Sequence, residues 1–330
     1  MSIALGIDFG GTKVLAGVVN LDTGEVLGTA KKKTDARDSA DQMMSRLYDV
    51  VESASQKAGV PIKDLAGIGV GLAGQVDTER GILLGAPNLS QSTVDLPMAD
   101  LLTKRFKIPA RLRNDVQVAA IGEAAFGAGR DQPDFVCIFV GTGIGGAIVR
   151  GGRLVTGAAG AAGEIGHIVI HANGRICGCG GRGHLEAYAS RTAMTQALLG
   201  EMKRGRPSML IDAVNESDDA PGGTAIRSGQ LATAVDAGDE LALDIVNEAG
   251  RYLGYGLASA INLLNPSRII LGGGVIEAVG LLFHVAERTA RREALATSAQ
   301  SVGIVPAALG DNAGVVGAAM LHAPNSIVTV

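Results

Sequence analysis

No stretch of this 330-residue chain carries like charges in a run long enough to act as a nucleic-acid arm: 29 basic residues face 33 acidic ones, a formal net charge of -4. The densest basic run, Lys31-Lys32-Lys33, reads as a solvated strand end. No apolar run approaches membrane length. The opening residues MSIALGIDF lack a basic leader and reach an aspartate too soon for a signal peptide, so a cytoplasmic protein with no membrane or nucleic-acid partner is expected. There are only three cysteines, which fits a reducing compartment. One of them, Cys137, lies in the apolar run 135–140 and reads as a buried strand residue. A Walker loop, G-x-x-x-x-G-K-[ST], is missing too.

What is present is apolar and rich in turns: 47% hydrophobic residues with 48 glycines suit a compact, soluble α/β protein with two full cores. The apolar run 3–7 ends in Asp8-Phe9-Gly10-Gly11-Thr12-Lys13, and apolar residues resume at Val14. This is strand, tight turn, strand. Gly10 and Gly11 let backbone approach a ligand, the turn amides and Thr12 suit phosphate oxygens, and Asp8 suits magnesium held through water. A second copy follows the run 137–140, Gly141-Thr142-Gly143-Ile144-Gly145-Gly146. Two such loops point to a duplicated α/β pair with a nucleotide between the halves.

The densest chemistry lies in 164–186, EIGHIVIHANGRICGCGGRGHLE, which holds two of the three cysteines and three of the five histidines. Thiolates and imidazoles at short spacing are what a tetrahedral zinc ion selects. Cys177, Cys179, His184 and His167 are the expected ligands, with His171 an alternative for either histidine. Four protein ligands leave no open position, so the zinc is structural. Glu164 and Glu186 flank this turn, and paired carboxylates suit the hydroxyls of a sugar.

Elsewhere the periodicity predicts helices over 38–58, 97–106, 116–126, 191–203, 240–264 and 276–292, a last small-residue helix running to His322, and strands over 65–72, 110–113, 268–271 and 302–305. A turn and hairpin over 73–86 precede Asn88, which reads either as a sugar ligand or as a plain turn former. Asp115 at a helix start is a good N-cap, and it also ends a strand where open α/β sheets place their chemistry. Gly272-Gly273-Gly274 would let a flat base approach, or would relieve a crowded strand–helix junction. The loop-like composition of 204–227 carries no chemistry. The domain boundary is placed near 114–120: a small domain over 1–118, joined by the helix at 311–322, and a larger one over 119–310.

In that order, Asp8-x-Gly-Gly-Thr-Lys, Asn114-Asp115, Gly141-Thr-Gly-x-Gly-Gly, Glu164-x-Gly-His, the Cys-x-Cys-Gly-x-x-Gly turn with Glu186, and Gly272-Gly-Gly resemble the ROK family of sugar kinases, over nearly the whole chain. The resemblance implies an actin-like, ribonuclease-H-type fold of two α/β domains with ATP in the cleft between them, and ATP-dependent phosphorylation of a hexose, with glucose becoming glucose 6-phosphate. It makes Asp115 the general base. Gly74, Asn88, Asn114, Glu164, His167 and Glu186 would hold the sugar. Asp8, Gly10, Gly11, Thr12, Lys13, Thr142 and Gly143 would face phosphates and magnesium, and Gly272, Gly273 and Gly274 the adenosine. Fructose, mannose or an N-acylhexosamine remain alternative acceptors, and polyphosphate an alternative donor. A non-catalytic sugar-sensing regulator is the reading from another class, disfavoured by the short lead before Asp8; a polymerising actin-like ATPase does not require the zinc turn. A homo-oligomer, dimer or tetramer, is expected. One position departs from the family: His184 stands where a cysteine is usual, so two thiolates and two neutral imidazoles would leave the site formally neutral.

Overall fold

The computed structural model describes residues 2–10, 13–34, 38–86, 90–211 and 226–324. They divide into two compact units, the first made of Met1–Cys137, Ala147–Gly163 and Ala307–Val330, the second of Ile138–Gly146 and Glu164–Pro306.

In the first unit, β1 (Ile3–Phe9) pairs antiparallel with β2 (Lys13–Asn20) and parallel with β4 (Ile68–Leu72). With β3 (Val26–Lys33) and β7 (Ala110–Asn114) they form a sheet of order β3-β2-β1-β4-β7. Alternation sorts β1 by face. Leu5, Ile7 and Phe9 join the core built on Met43, Leu47, Val51 and Ala54 of α1 (Ala40–Ala58). Ala4 joins the opposite core, with Val118 and Ile121 of α3 (Asp115–Phe126) and Val315, Val316 and Ala318 of α11 (Ala313–Ala319). Gly6 and Asp8 share the Ala4 side of the strand. The hairpin is β5 (Gln75–Asp77) with β6 (Ile82–Gly85), and α2 spans Met98–Phe106.

A second sheet runs β10-β9-β8-β11-β12, from β8 (Phe135–Val140), β9 (Ile144–Arg150), β10 (Arg153–Val155), β11 (Arg268–Gly272) and β12 (Gly303–Pro306). Cys137 is fully buried in β8, as its apolar run indicates. The helices of the second unit are α4 (Glu186–Ala189), α5 (Arg191–Lys203), α6 (Ser228–Asp236), the long α7 (Glu240–Leu264), α8 (Gly274–Ala278), α9 (Gly280–Glu293) and α10 (Ala296–Ser301).

Three sequence expectations are corrected. The helix over 276–292 is two helices, because buried Val279 leaves helical geometry at φ -117° and ψ 82° and Gly280 restarts it. The strand over 65–72 starts only at Ile68, since residues 62–64 close a 3-10 turn. The last helix ends at Ala319, flanked by 3-10 turns at Gly310–Asn312 and Met320–His322. Most of the stretch 204–227 lies outside the described residues.

Two features fix α11 and the loop before it. Glu123, fully buried on α3, accepts hydrogen bonds from the amides of Ala128, Ala308 and Leu309 at 2.6–3.1 Å, so one carboxylate gathers three backbone donors. The helix itself lies directly on backbone. A Cβ at Gly317 would stand 1.6 Å from the Val118 carbonyl oxygen, and one at Gly69 1.8 Å from that of Ala318. Neither obstacle is a side chain that can rotate away. Gly317→Ala should therefore cost about 3 kcal/mol or more, as a shift of rigid backbone in a packed core. A urea midpoint equal to the wild type's would contradict this packing.

Candidate functional site

The second unit places four ligand atoms together. His167 ends a 3-10 turn, Ile165–His167; Cys177 and Cys179 follow on a turn closed by the Cys177 amide donating to Gly181 O and the Gly180 amide to Cys177 O; His184 lies just before α4. One ligand atom from each of the four lies within 4.8 Å of every other. Nδ1 of His184 is 3.2 Å from Cys179 Sγ, and Nδ1 of His167 is 3.8 Å from Cys177 Sγ. These values bracket the separation of about 3.6 Å that a tetrahedral ion with Zn–S near 2.3 Å and Zn–N near 2.0 Å would impose. The residues thus fit a tetrahedral cation. His171 is not among them: its ring stacks on Tyr188, with centroids 6.2 Å apart.

Burial, above all, and the Glu186 carboxylate push the Cys177 thiol up to about 12, against a nearby backbone hydrogen bond that lowers it. A thiol so placed becomes a thiolate only beside a cation.

Glu186 proves to be a brace that sequence reasoning missed. Its Oε2 accepts from the Ile144 amide at 2.8 Å, while Oε1 stands 3.4 Å from Cys177 Sγ. One carboxylate joins the Gly141–Gly146 loop to the cysteine turn. Gly143 leaves space for this brace: a Cβ there would lie 2.3 Å from Glu186 Oε2, and the carboxylate would have to move. Two residues on, buried Tyr188 accepts a hydrogen bond from the Arg175 amide at 2.8 Å, and the Arg175 guanidinium sits 4.8 Å over its ring while pairing with Glu248 of α7. The cysteine turn is therefore held from both ends. Glu164 is exposed and caps the turn to His167 through its carbonyl.

In the first unit, Asn114 caps α3, its Oδ1 accepting from the Val116 and Gln117 amides at 3.0 and 3.2 Å. This corrects the expectation that Asp115 is the N-cap: Asn114 keeps extended backbone, and Asp115 already begins the helix. The Asn114 amide nitrogen donates to Gly74 O at 3.4 Å, bringing two expected sugar ligands together. Asp8 is enclosed by protein although its side chain keeps some solvent contact. Burial first, then the charge of Asp115 and more weakly that of Asp311, against the opposing Lys13, push its carboxyl up to about 7. Lys13 itself pairs with Asp311 at 3.0 Å, a partner the sequence did not indicate.

Of the remaining expected residues, Gly11, Thr12 and Asn88 lie outside the described residues. Gly10 donates its amide to Lys13 O at 3.0 Å and closes the first turn. Thr142 is exposed on its loop. Gly272 ends β11 and Gly274 opens α8. Between them Gly273, at φ 92°, leaves no room for a Cβ, which would stand 2.5 Å from Val140 O. A crowded junction is enough to explain that glycine.

Comparison with known proteins finds relatives over nearly the whole length of the chain. The ROK family model matches residues 4–324. A glucokinase of Streptomyces coelicolor is 33% identical over 322 residues, 97% of this chain and 98% of that protein. The ROK family glucokinase of Streptomyces griseus, solved in complex with glucose and AMPPNP, is 34% identical, superposes with a TM-score of 0.83 and covers 97% of this chain and 99% of its own. A xylose repressor of Caldicellulosiruptor bescii is 29% identical over 81% of this chain and 65% of the repressor.

The raised Asp8 carboxyl has a consequence for stability. An acid held at about 7 when folded and at its ordinary 3.8 when unfolded makes folding take up a proton. Its contribution is fully present below about pH 4 and is lost as pH rises to about 7. Asp8→Asn should therefore melt like the wild type near pH 4 and be more stable near pH 8, by roughly 2–4 kcal/mol in magnesium-free buffer. A difference in melting temperature that stays constant across that range would contradict it.

Proposed function

The chain belongs to the ROK family, and on that premise we propose that it is a sugar kinase, moving the γ-phosphoryl group of ATP to a hexose, with glucose becoming glucose 6-phosphate. What carries this reading is the end-to-end likeness to glucokinases, one of them solved with glucose and AMPPNP. The two-unit α/β architecture is the actin-like sugar kinase fold of those relatives.

Phosphoryl transfer asks the protein for positioning and charge rather than covalent chemistry. Asp115, at the strand end of β7 and the start of α3, is the base that takes the proton of the sugar 6-hydroxyl. Gly74, Asn88, Asn114, Glu164, His167 and Glu186 hold the sugar. The Nδ1 atoms of His167 and His184 face the sulfurs, which leaves Nε2 of His167 to meet a sugar hydroxyl. With Cys177 ionised in a metal site, Glu186 Oε1 receives no thiol proton and is open to the same ligand. Asp8, Gly10, Gly11, Thr12, Lys13, Thr142 and Gly143 serve the phosphates. Magnesium belongs near Asp8, where a cation relieves the repulsion from Asp115 and Asp311. Gly272, Gly273 and Gly274 lie toward the adenosine.

A structural zinc at His167, Cys177, Cys179 and His184 would supply rigidity, holding the turn that precedes Glu186. Three free thiols support a reducing cytoplasm as the compartment and glycolytic glucose phosphorylation as the setting. Among the described residues no helix is long and apolar enough to cross a membrane. Exposed Val169, Ile176, Tyr255 and Leu263 in the second unit support self-association, as a dimer or tetramer. The xylose repressor match favours a second reading, a sugar-binding regulator without catalysis.

ADP formation with magnesium-ATP and single hexoses separates these. Glucose should give turnover, and Asp115→Asn should lower kcat by about 10²–10⁴ with glucose affinity kept. Glucose binding without turnover would favour the regulator, and an Asp115→Asn enzyme of wild-type rate would remove the base.

A further inference from the structure

The Gly141–Gly146 loop is laced to the start of α5. The amide of Arg191 donates to Gly141 O at 3.0 Å, and Thr192 donates to Thr142 O through its amide at 3.4 Å and its hydroxyl at 2.8 Å. Ser190 caps the helix by accepting from the Ala193 amide at 3.1 Å. These bonds hold the Arg191 side chain over the loop, where Nη2 donates to Thr142 Oγ1 at 2.7 Å.

The charge of Arg191 is unanswered. Among the described residues no ion pair includes it, and the Glu186 carboxylate at the start of α4 accepts from the Ile144 amide. Its guanidinium is half-buried, and burial lowers its pKa. A partly desolvated cation with no counter-charge is costly unless an anion joins it. Guanidinium has five N–H donors in a planar fork suited to phosphate oxygens, and the bond to Thr142 uses one. That bond also orients Thr142: a hydroxyl that accepts from a cation turns its own proton away from that cation and keeps it free to donate. A cationic fork and a hydroxyl donor thus stand together at a glycine loop.

We propose that Arg191, with Thr142, binds the phosphate chain of the phosphoryl donor and sets the affinity of the loop for linear phosphoanhydrides. The proposal rests on the reading that this loop faces the donor. Arg191 also fastens the loop to α5, so loss of the side chain alone does not separate charge from scaffold. Arg191→Gln does: its amide can still donate to Thr142, but the charge is gone. Arg191→Lys keeps the charge and loses the fork.

The test compares wild type, Arg191→Gln and Arg191→Lys by KM for ATP, KM for glucose, and equilibrium binding of inorganic tripolyphosphate by calorimetry, which needs no turnover. Arg191→Gln should weaken tripolyphosphate binding and raise the ATP KM by about 10–100-fold, the range for charge-assisted hydrogen bonds, with glucose KM within about twofold. Arg191→Lys should fall between it and wild type, and the two cationic forms should lose affinity more steeply than Arg191→Gln as salt rises. If Arg191→Gln turns over glucose with an unchanged ATP KM and binds tripolyphosphate like the wild type, the proposal is overturned and the kinase reading stands. If no hexose is phosphorylated while tripolyphosphate binding depends on the charge at 191, the anion site stands and the kinase reading falls.

Discussion

The Glu186 carboxylate is the contact on which the second unit's chemistry depends. It reaches the Ile144 amide with one oxygen and the Cys177 sulfur with the other, so the glycine loop and the cysteine turn share one anchor. A carboxylate in that position beside a thiol is poorly matched, since burial and the negative charge both resist ionising the sulfur. A cation held by the two sulfurs and two imidazoles would reverse the balance, favouring the thiolate and freeing Glu186 of its thiol donor. The same ion would stiffen a turn whose other supports are the Tyr188–Arg175 bond and the ion pair to Glu248. On the proposed function, rigidity at Glu186 and His167 would serve sugar recognition, because hydroxyl geometry separates one hexose from another.

The first unit solves a different problem. Asp8 is enclosed, faces the negative field of Asp115 and Asp311, and is answered only in part by Lys13. Carboxylates assembled against their own repulsion mark a place where binding of a cation is favourable. The fold holds them by close backbone packing, α11 lying on β1, β4 and α3 where glycines admit it, and by Glu123, which gathers the amides entering that helix. In the second unit Arg191 mirrors this state with opposite sign, a cation in no ion pair among the described residues.

Much of this was legible in the sequence because the signals were local. Apolar runs ending in glycine turns marked β1 and β8, and scarce cysteines and histidines crowded into 164–186 marked a cluster that the structure brings together. Less legible were partners set by tertiary contact. Nothing near Glu123 in sequence announces Ala308 and Leu309, and Arg191 reads as an ordinary first residue of a helix until Thr142 lies beside it. Local spacing also misled where packing decides: Val279 is apolar at helical spacing, yet it breaks the helix. Asn114 takes the cap that Asp115 suggested, because the strand extends through Asn114, one residue beyond the expected 110–113.

The most direct test of the link between the metal cluster and sugar recognition is glucose affinity by calorimetry, measured with metal content on the protein as purified, after chelation, and after zinc is restored. One zinc per chain is expected, with affinity falling at least about tenfold on its removal and returning on its replacement. Zinc-free protein that stays folded and binds glucose as tightly as before would contradict the coupling through His167 and Glu186.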